Sequence, residues 1–179
     1  MTRGGGLRRM SLAALAFVAC GGWEPNPSHF YHLAIASGFS DAQYQAIRDA
    51  ASEWQASSGN YVTFDPVVAS VSAWGTVTST DSDVIAFQAD SVGAIRSEFG
   101  GGAIGYTQYE GQSSNVYLGT SLDAETFHQT ALHEIGHAIG LKHTTPGTVM
   151  CQDTTCATLE ITCGDLVQLL GHSVAGCTL

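Results

Sequence analysis

His133-Glu134-Ile135-Gly136-His137-Ala138-Ile139-Gly140-Leu141-Lys142-His143 is the stretch on which the reading of this chain turns. His133 and His137 stand four apart, so on a helix both imidazoles project from one face. Leu132, Ile135 and Ile139 supply an apolar stripe, which predicts a helix over about 123–139. Two rings stacked in this way can hold one zinc ion, each at about 2.0–2.1 Å. Glu134 adjoins the first ring. It is placed to take a proton from a zinc-bound water rather than to bind the metal itself. A helix continued past His137 would carry residue 143 away from the ion. Gly140 can adopt positive φ and end the helix in a sharp turn, after which His143 completes a three-histidine set. Three protein ligands leave a coordination position for water and substrate, the arrangement of a catalytic rather than a structural site.

Outward from this helix the chain alternates strand-like and helix-like segments. Residues 29–36 read as a strand. Ser40 with Gln43 fits a capping box, and Ile47, Ala50, Ala51 and Trp54 then fall on one helical face that Gly59-Asn60 terminates. Strands are expected over 61–64, 83–88, 105–109 and 115–118, with a glycine-rich loop around Gly100-Gly101-Gly102. Thr162 and Asp165 stand at capping-box spacing ahead of a closing helix through residue 170, with Leu166, Leu169 and Leu170 as its apolar face. This order predicts a single α/β (α+β) domain over residues 29–179.

The 179 residues suffice for one domain plus a short leader, and the 44% apolar content for one core. Arg3, Arg8 and Arg9 precede an apolar run from Met10 to Ala19, too short to span a bilayer, so residues 1–19 are expected to be a signal peptide. Val18-Ala19-Cys20-Gly21 resembles a lipoprotein box. Cys20 is therefore a candidate lipidation site and membrane tether, with 20–28 as a linker; cleavage without lipid is the alternative. Loss of the leader would leave three basic residues against sixteen acidic ones, moving the net charge from -10 to -13. Such a chain has no basic face with which to neutralise phosphates, which excludes nucleic-acid binding of that kind. The expectation is an exported protein: a bacterial cell-surface lipoprotein, or an extracellular or periplasmic one. The four cysteines besides Cys20 (Cys151, Cys156, Cys163 and Cys177) suggest two disulfides; three pairings exist, and short loops favour 151–156 with 163–177.

The histidine stretch resembles the zinc signature of the metzincin metallopeptidases, His-Glu-x-x-His-x-x-Gly-x-x-His. Met150, seven residues after His143 in Thr144-Thr-Pro-Gly-Thr-Val-Met150, resembles the clan's methionine turn beneath the zinc. Within the clan, His133–Thr144 has a matrixin-like rhythm, and the segments around Trp54, 83–87, 115–118 and 165–171 follow in that family's order. The resemblance implies a twisted mixed sheet with an antiparallel edge strand over 102–107, an active-site helix and a C-terminal helix. It also implies that Ala103, Ile104, Gly105 and Tyr106 on that edge bind substrate backbone as an added strand.

Departures from the matrixin pattern carry expectations of their own. No inhibitory-cysteine propeptide stands ahead of residue 29, so cysteine-switch latency is not expected. Cys151-Gln-Asp-Thr-Thr-Cys156 replaces the Pro-x-Tyr that shapes the pocket after the cut. The structural-zinc histidines are missing, which leaves His29, His32, His128 and His172 as plain residues.

Together these readings point to a zinc metalloendopeptidase acting on protein or peptide as a monomer. One catalytic Zn²⁺ sits on His133, His137 and His143, Glu134 is the catalytic acid–base, and Met150 is the floor of the site. The resemblance allows a calcium ion, but no residue pattern marks one. The alternatives are a surface binding or adhesion module with a vestigial zinc site, and a cell-wall peptide amidase sharing the same centre.

Overall fold

The computed structural model describes residues 29–65, 83–144, 147–152 and 160–171. Its elements in chain order are β1 (Phe30–Ile35), α1 (Asp41–Ser57), β2 (Thr63–Phe64), β3 (Val84–Asp90), α2 (Val92–Phe99), β4 (Gly105–Glu110), β5 (Ser113–Gly119), α3 (Ala124–Ala138) and α4 (Cys163–Leu170). The five strands form one mixed sheet in the order β2-β1-β3-β5-β4. All neighbours are parallel except β4, which runs antiparallel to β5 at the end of the sheet.

Strand alternation decides what the sheet buries. Leu33 and Ile35 of β1, Ile85 and Phe87 of β3, and Val116 and Leu118 of β5 belong to one core with α1 and α3. Ala34, Val84 and Ala86 make a smaller cluster of their own. From α1 this core receives Ile47, Ala50, Ala51 and Trp54, the four positions expected from the helical period. Ser40 caps α1 through the Gln43 N–H while the Gln43 side chain reaches back to the Ser40 N–H, the expected box. Trp54 is fully buried, and its indole N–H donates to the Leu132 carbonyl at 2.9 Å, fastening α1 to the turn of α3 that carries His133.

Three features depart from the sequence reading. Helix α2 was not expected. Ser91 caps it through the Ala94 N–H, and Ile95 is its one buried residue, so an eight-residue helix leaves no apolar period to read. The antiparallel edge strand begins at Gly105 rather than at residue 102, because Ala103 still closes the turn after α2 through its N–H to the Gly100 carbonyl. In α4 the expected apolar face is only half-buried, and the residue sealed from solvent is Asp165. Residues 1–28, Cys156, His172 and Cys177 lie outside the described residues, and with them the leader, the tether and the cysteine pairing. Among the described residues no helix is long and apolar enough to cross a membrane.

Candidate metal centre

Asp123 caps α3 by accepting from the Thr126 N–H, and the helix runs to Ala138. Ile139 and Gly140 then stop it. The Leu141 N–H donates to the Gly136 carbonyl at 2.9 Å and the Gly140 N–H to the His137 carbonyl at 2.7 Å, the paired bonds of a Schellman cap. Gly140 has φ of 105°, which a side chain at that position would resist. The turn reverses the chain and brings His143 back over the helix. Its Nε2 lies 3.0 Å from His137 Nε2 and 3.3 Å from His133 Nε2. Ligands at about 2.0–2.1 Å on a tetrahedral ion are about 3.3 Å apart, so His143 already stands near coordination spacing from both other rings, and all three ligand atoms lie within 4.8 Å of one another.

The outer ring nitrogens are held as well. His137 Nδ1 bonds the Leu141 carbonyl at 2.9 Å, so the turn that ends α3 also orients one of its histidines. His133 Nδ1 bonds the Val149 carbonyl at 2.8 Å. With Nδ1–H donating outward, each Nε2 presents its lone pair to the centre. Both rings are almost wholly buried. Burial, reinforced by the neighbouring imidazoles, pushes His133 well below the ordinary histidine range and His137 down to about 4; burial alone lowers His143. Three neutral imidazoles with converging lone pairs make a cation site, and no other group of three or more metal-ligating side chains occurs among the described residues.

Beneath the helix, Met150 is fully buried. A Cβ on Gly136 would collide with Met150 Sδ and with Trp54 Cζ2, so the glycine between the two histidines is what lets the methionine close up. The loop bearing Val149 and Met150 is tied down by Asp165. Its carboxylate accepts from the N–H groups of Val149 at 3.2 Å and Met150 at 3.3 Å, and from the N–H and hydroxyl of Thr162 at 2.8 Å each. Read from sequence, Asp165 was only a helix-capping residue; its reach to the loop under the histidines depends on a contact 15–16 positions away.

Glu134 is fully buried beside β4. Its Oε2 accepts from the Thr107 hydroxyl at 2.7 Å, while Oε1 has no hydrogen-bond partner among the described residues. Burial raises its pKa to about 8, and the Thr107 bond opposes the rise. A buried, partnerless carboxylate oxygen beside three converging imidazoles fits a centre built to hold a dication. Tyr109, two residues beyond Thr107, donates its hydroxyl to the His137 carbonyl at 3.1 Å. Burial, and then the charge of Glu134, hold that phenol protonated to far above its ordinary range. Neither Thr107 nor Tyr109 was singled out from the sequence. The available signal was that both share strand parity with Gly105 and so face α3.

The edge residues named from resemblance are all buried. Ala103 and Ile104 lead into β4, and Gly105 and Tyr106 open it. Gly105 backs directly onto the carboxyl: a Cβ there would lie 2.9 Å from Glu134 Oε1. Three of the remaining histidines stand apart from the centre. His29 lies tilted against the Tyr61 ring, His32 pairs with Asp65 at 2.5 Å and His128 with Glu53 at 3.1 Å.

Comparison with known families agrees with this geometry. The model of the reprolysin-like metallopeptidases, family M12B, matches residues 41–144, from the first turn of α1 to just past His143. No curated protein matches the chain. The match supports a metzincin-type zinc metallopeptidase and does not single out the matrixin-like branch suggested by the histidine rhythm. Since the match spans more than half of the sequence and takes in the whole three-histidine helix and turn, the chain belongs to the reprolysin-like metallopeptidases of family M12B.

Proposed function

We propose that this protein is an exported zinc metalloendopeptidase in which His133, His137 and His143 hold the ion and Glu134 moves the proton. The observation that carries the reading is the convergence of three Nε2 atoms, two of them 3.0 and 3.3 Å from the third, on a helix that also buries Glu134. A zinc ion bound there supplies Lewis acidity to water and to a peptide carbonyl. Glu134 accepts a proton at Oε1, the oxygen Thr107 does not occupy, and returns it to the departing amine. A dication in the centre opposes the burial that raises the carboxyl's pKa, which favours the base form at neutral pH. Met150 supports the floor of the site without binding metal.

The substrate is an extended peptide laid along β4 as a sixth strand. The Gly119 N–H bonds the Ile104 carbonyl at 3.0 Å, and the alternation of an antiparallel ladder then turns the N–H and C=O groups of Gly105, Thr107 and Tyr109 to the outer edge. The finer matrixin likeness rests on the sequence rhythm alone. Export with a leader over 1–19 rests on its charge and apolar pattern, and a tether through Cys20 on the lipoprotein-like box. The disulfide-bonded state of Cys151 and Cys163 is in keeping with an oxidising compartment.

The test is Glu134→Ala in chain purified with zinc. Expected is one zinc per chain and loss of peptide cleavage by two to four orders of magnitude. A chelator should likewise abolish wild-type cleavage, and added zinc restore it. Undiminished cleavage by the Glu134→Ala chain would overturn the assignment.

A further inference from the structure

We propose that Thr107 is the positioning residue of Glu134, reserving one carboxylate oxygen for structure and leaving the other for chemistry. The proposal rests on the metallopeptidase reading above and divides the roles of the two oxygens within it.

Thr107 lies in the middle of β4 with its side chain sealed from solvent at 1% exposure. A hydroxyl buried this deeply must be bonded, and its partners belong to a single residue: Glu134 Oε2 at 2.7 Å and the Glu134 carbonyl at 3.0 Å. The shorter contact goes to the group that can carry charge, as expected of a charge-assisted bond. Two residues earlier on the same side of the strand, Gly105 brings backbone against the other oxygen; a Cβ there would sit 2.9 Å from Oε1 and 3.0 Å from Cγ. The carboxyl is thus boxed between a hydroxyl on Oε2 and bare backbone beside Oε1. Among the described residues, Oε1 is the oxygen left without a partner.

Strand alternation makes the two contacts one device. Residues 105 and 107 face α3 because β4 has period two, and the close approach works only because the first has no side chain and the second has a short one ending in a donor. A threonine kept for packing alone would be replaceable by valine, which has nearly the same shape. A threonine kept for its hydroxyl is not.

The experiment compares Thr107→Val and Thr107→Ser with wild type, each loaded with zinc and assayed on one peptide substrate, with zinc per chain measured by elemental analysis and the valine variant crystallised. Expected for Thr107→Val are one zinc per chain, KM within twofold of wild type and kcat lower by roughly 10- to 100-fold. Its crystal structure should show the Glu134 carboxyl turned off the Gly105 edge with the three histidine rings unmoved. Thr107→Ser should regain kcat to within about threefold, because it restores the donor. A valine variant with wild-type kcat overturns the proposal, as does one slowed with its carboxyl in the original place. If the valine variant does not fold or load zinc, Thr107→Cys, of similar size and a weak donor, is read by the same criteria, and wild-type kcat again overturns it. A wild-type chain that holds zinc yet cleaves no peptide defeats the metallopeptidase reading and this proposal with it. Active wild type beside an undiminished valine variant defeats the Thr107 assignment alone.

Discussion

Glu134 and the histidines beside it respond to burial with opposite signs, and that opposition sets how the metal-free protein responds to pH. The carboxyl has its pKa raised to about 8, so its contribution to stability is complete below the unfolded value near 4.5 and is lost as pH rises towards 8. His137 is depressed to about 4, so its contribution is present above the unfolded value near 6.5 and is lost as pH falls from there towards 4. Urea midpoints of metal-free wild type should therefore decline from about pH 6.5, where the histidine contribution is complete, to pH 8, and Glu134→Gln should remove most of that decline. A parallel decline in both proteins would show that Glu134 is not its source. A second consequence at this scale concerns Gly136. The Cβ of Gly136→Ala would overlap Met150 Sδ, and overpacking of this kind costs about 1–3 kcal/mol. Denaturant unfolding should show that loss, and Gly136→Ala combined with Met150→Ala should lose less than the sum of the two single changes.

At the scale of elements, the centre is a helix held from three directions: by α1 through Trp54, by β4 through Thr107 and Tyr109, and by the Met150 loop through His133. The loop depends in turn on α4. Asp165→Ala removes the acceptor for the buried N–H groups of Val149 and Met150, and the expected cost is about 3 kcal/mol in unfolding free energy. Because Val149 carries the carbonyl that orients His133, zinc should also dissociate roughly 10- to 100-fold faster, measured by transfer to a chromogenic chelator. Unchanged zinc release in a destabilised variant would confine Asp165 to a packing role.

How much of this was legible in the sequence also divides at this scale. Helix α1 was readable because it buries a stripe at the 3.6-residue period behind a capping side chain, and α3 because Leu132, Ile135 and Ile139 keep that period in sequence, although every residue from Thr130 to Ala138 is buried. Helix α2 was not, since a single buried isoleucine makes no period. The metal ligands were readable because all three lie within eleven residues, near enough for local geometry to place them. Thr107 and Asp165 act across 27 and 15–16 positions, and nothing local marks a threonine in a strand or an acid in a first helical turn as part of a distant site. Only strand pairing and tertiary packing bring them there.

For the molecule as a whole, folding and metal uptake should be coupled. Two of the imidazoles are buried with their lone pairs converging, an arrangement a cation stabilises and an empty centre does not. Removing zinc should lower the thermal midpoint by several degrees and leave the far-ultraviolet circular dichroism nearly unchanged, because the sheet and α1 pack without reference to the ion; equal midpoints with and without chelator would contradict this. The fastening of His133 through Val149 to Asp165 also has a temporal side. The histidines precede Asp165 by 22 residues or more in the chain, so during synthesis the three ligands emerge before the helix that secures the loop beneath them. A chain cut short before Asp165 should therefore take up metal poorly however well its histidines are formed, because the knot that steadies the first of them is tied last.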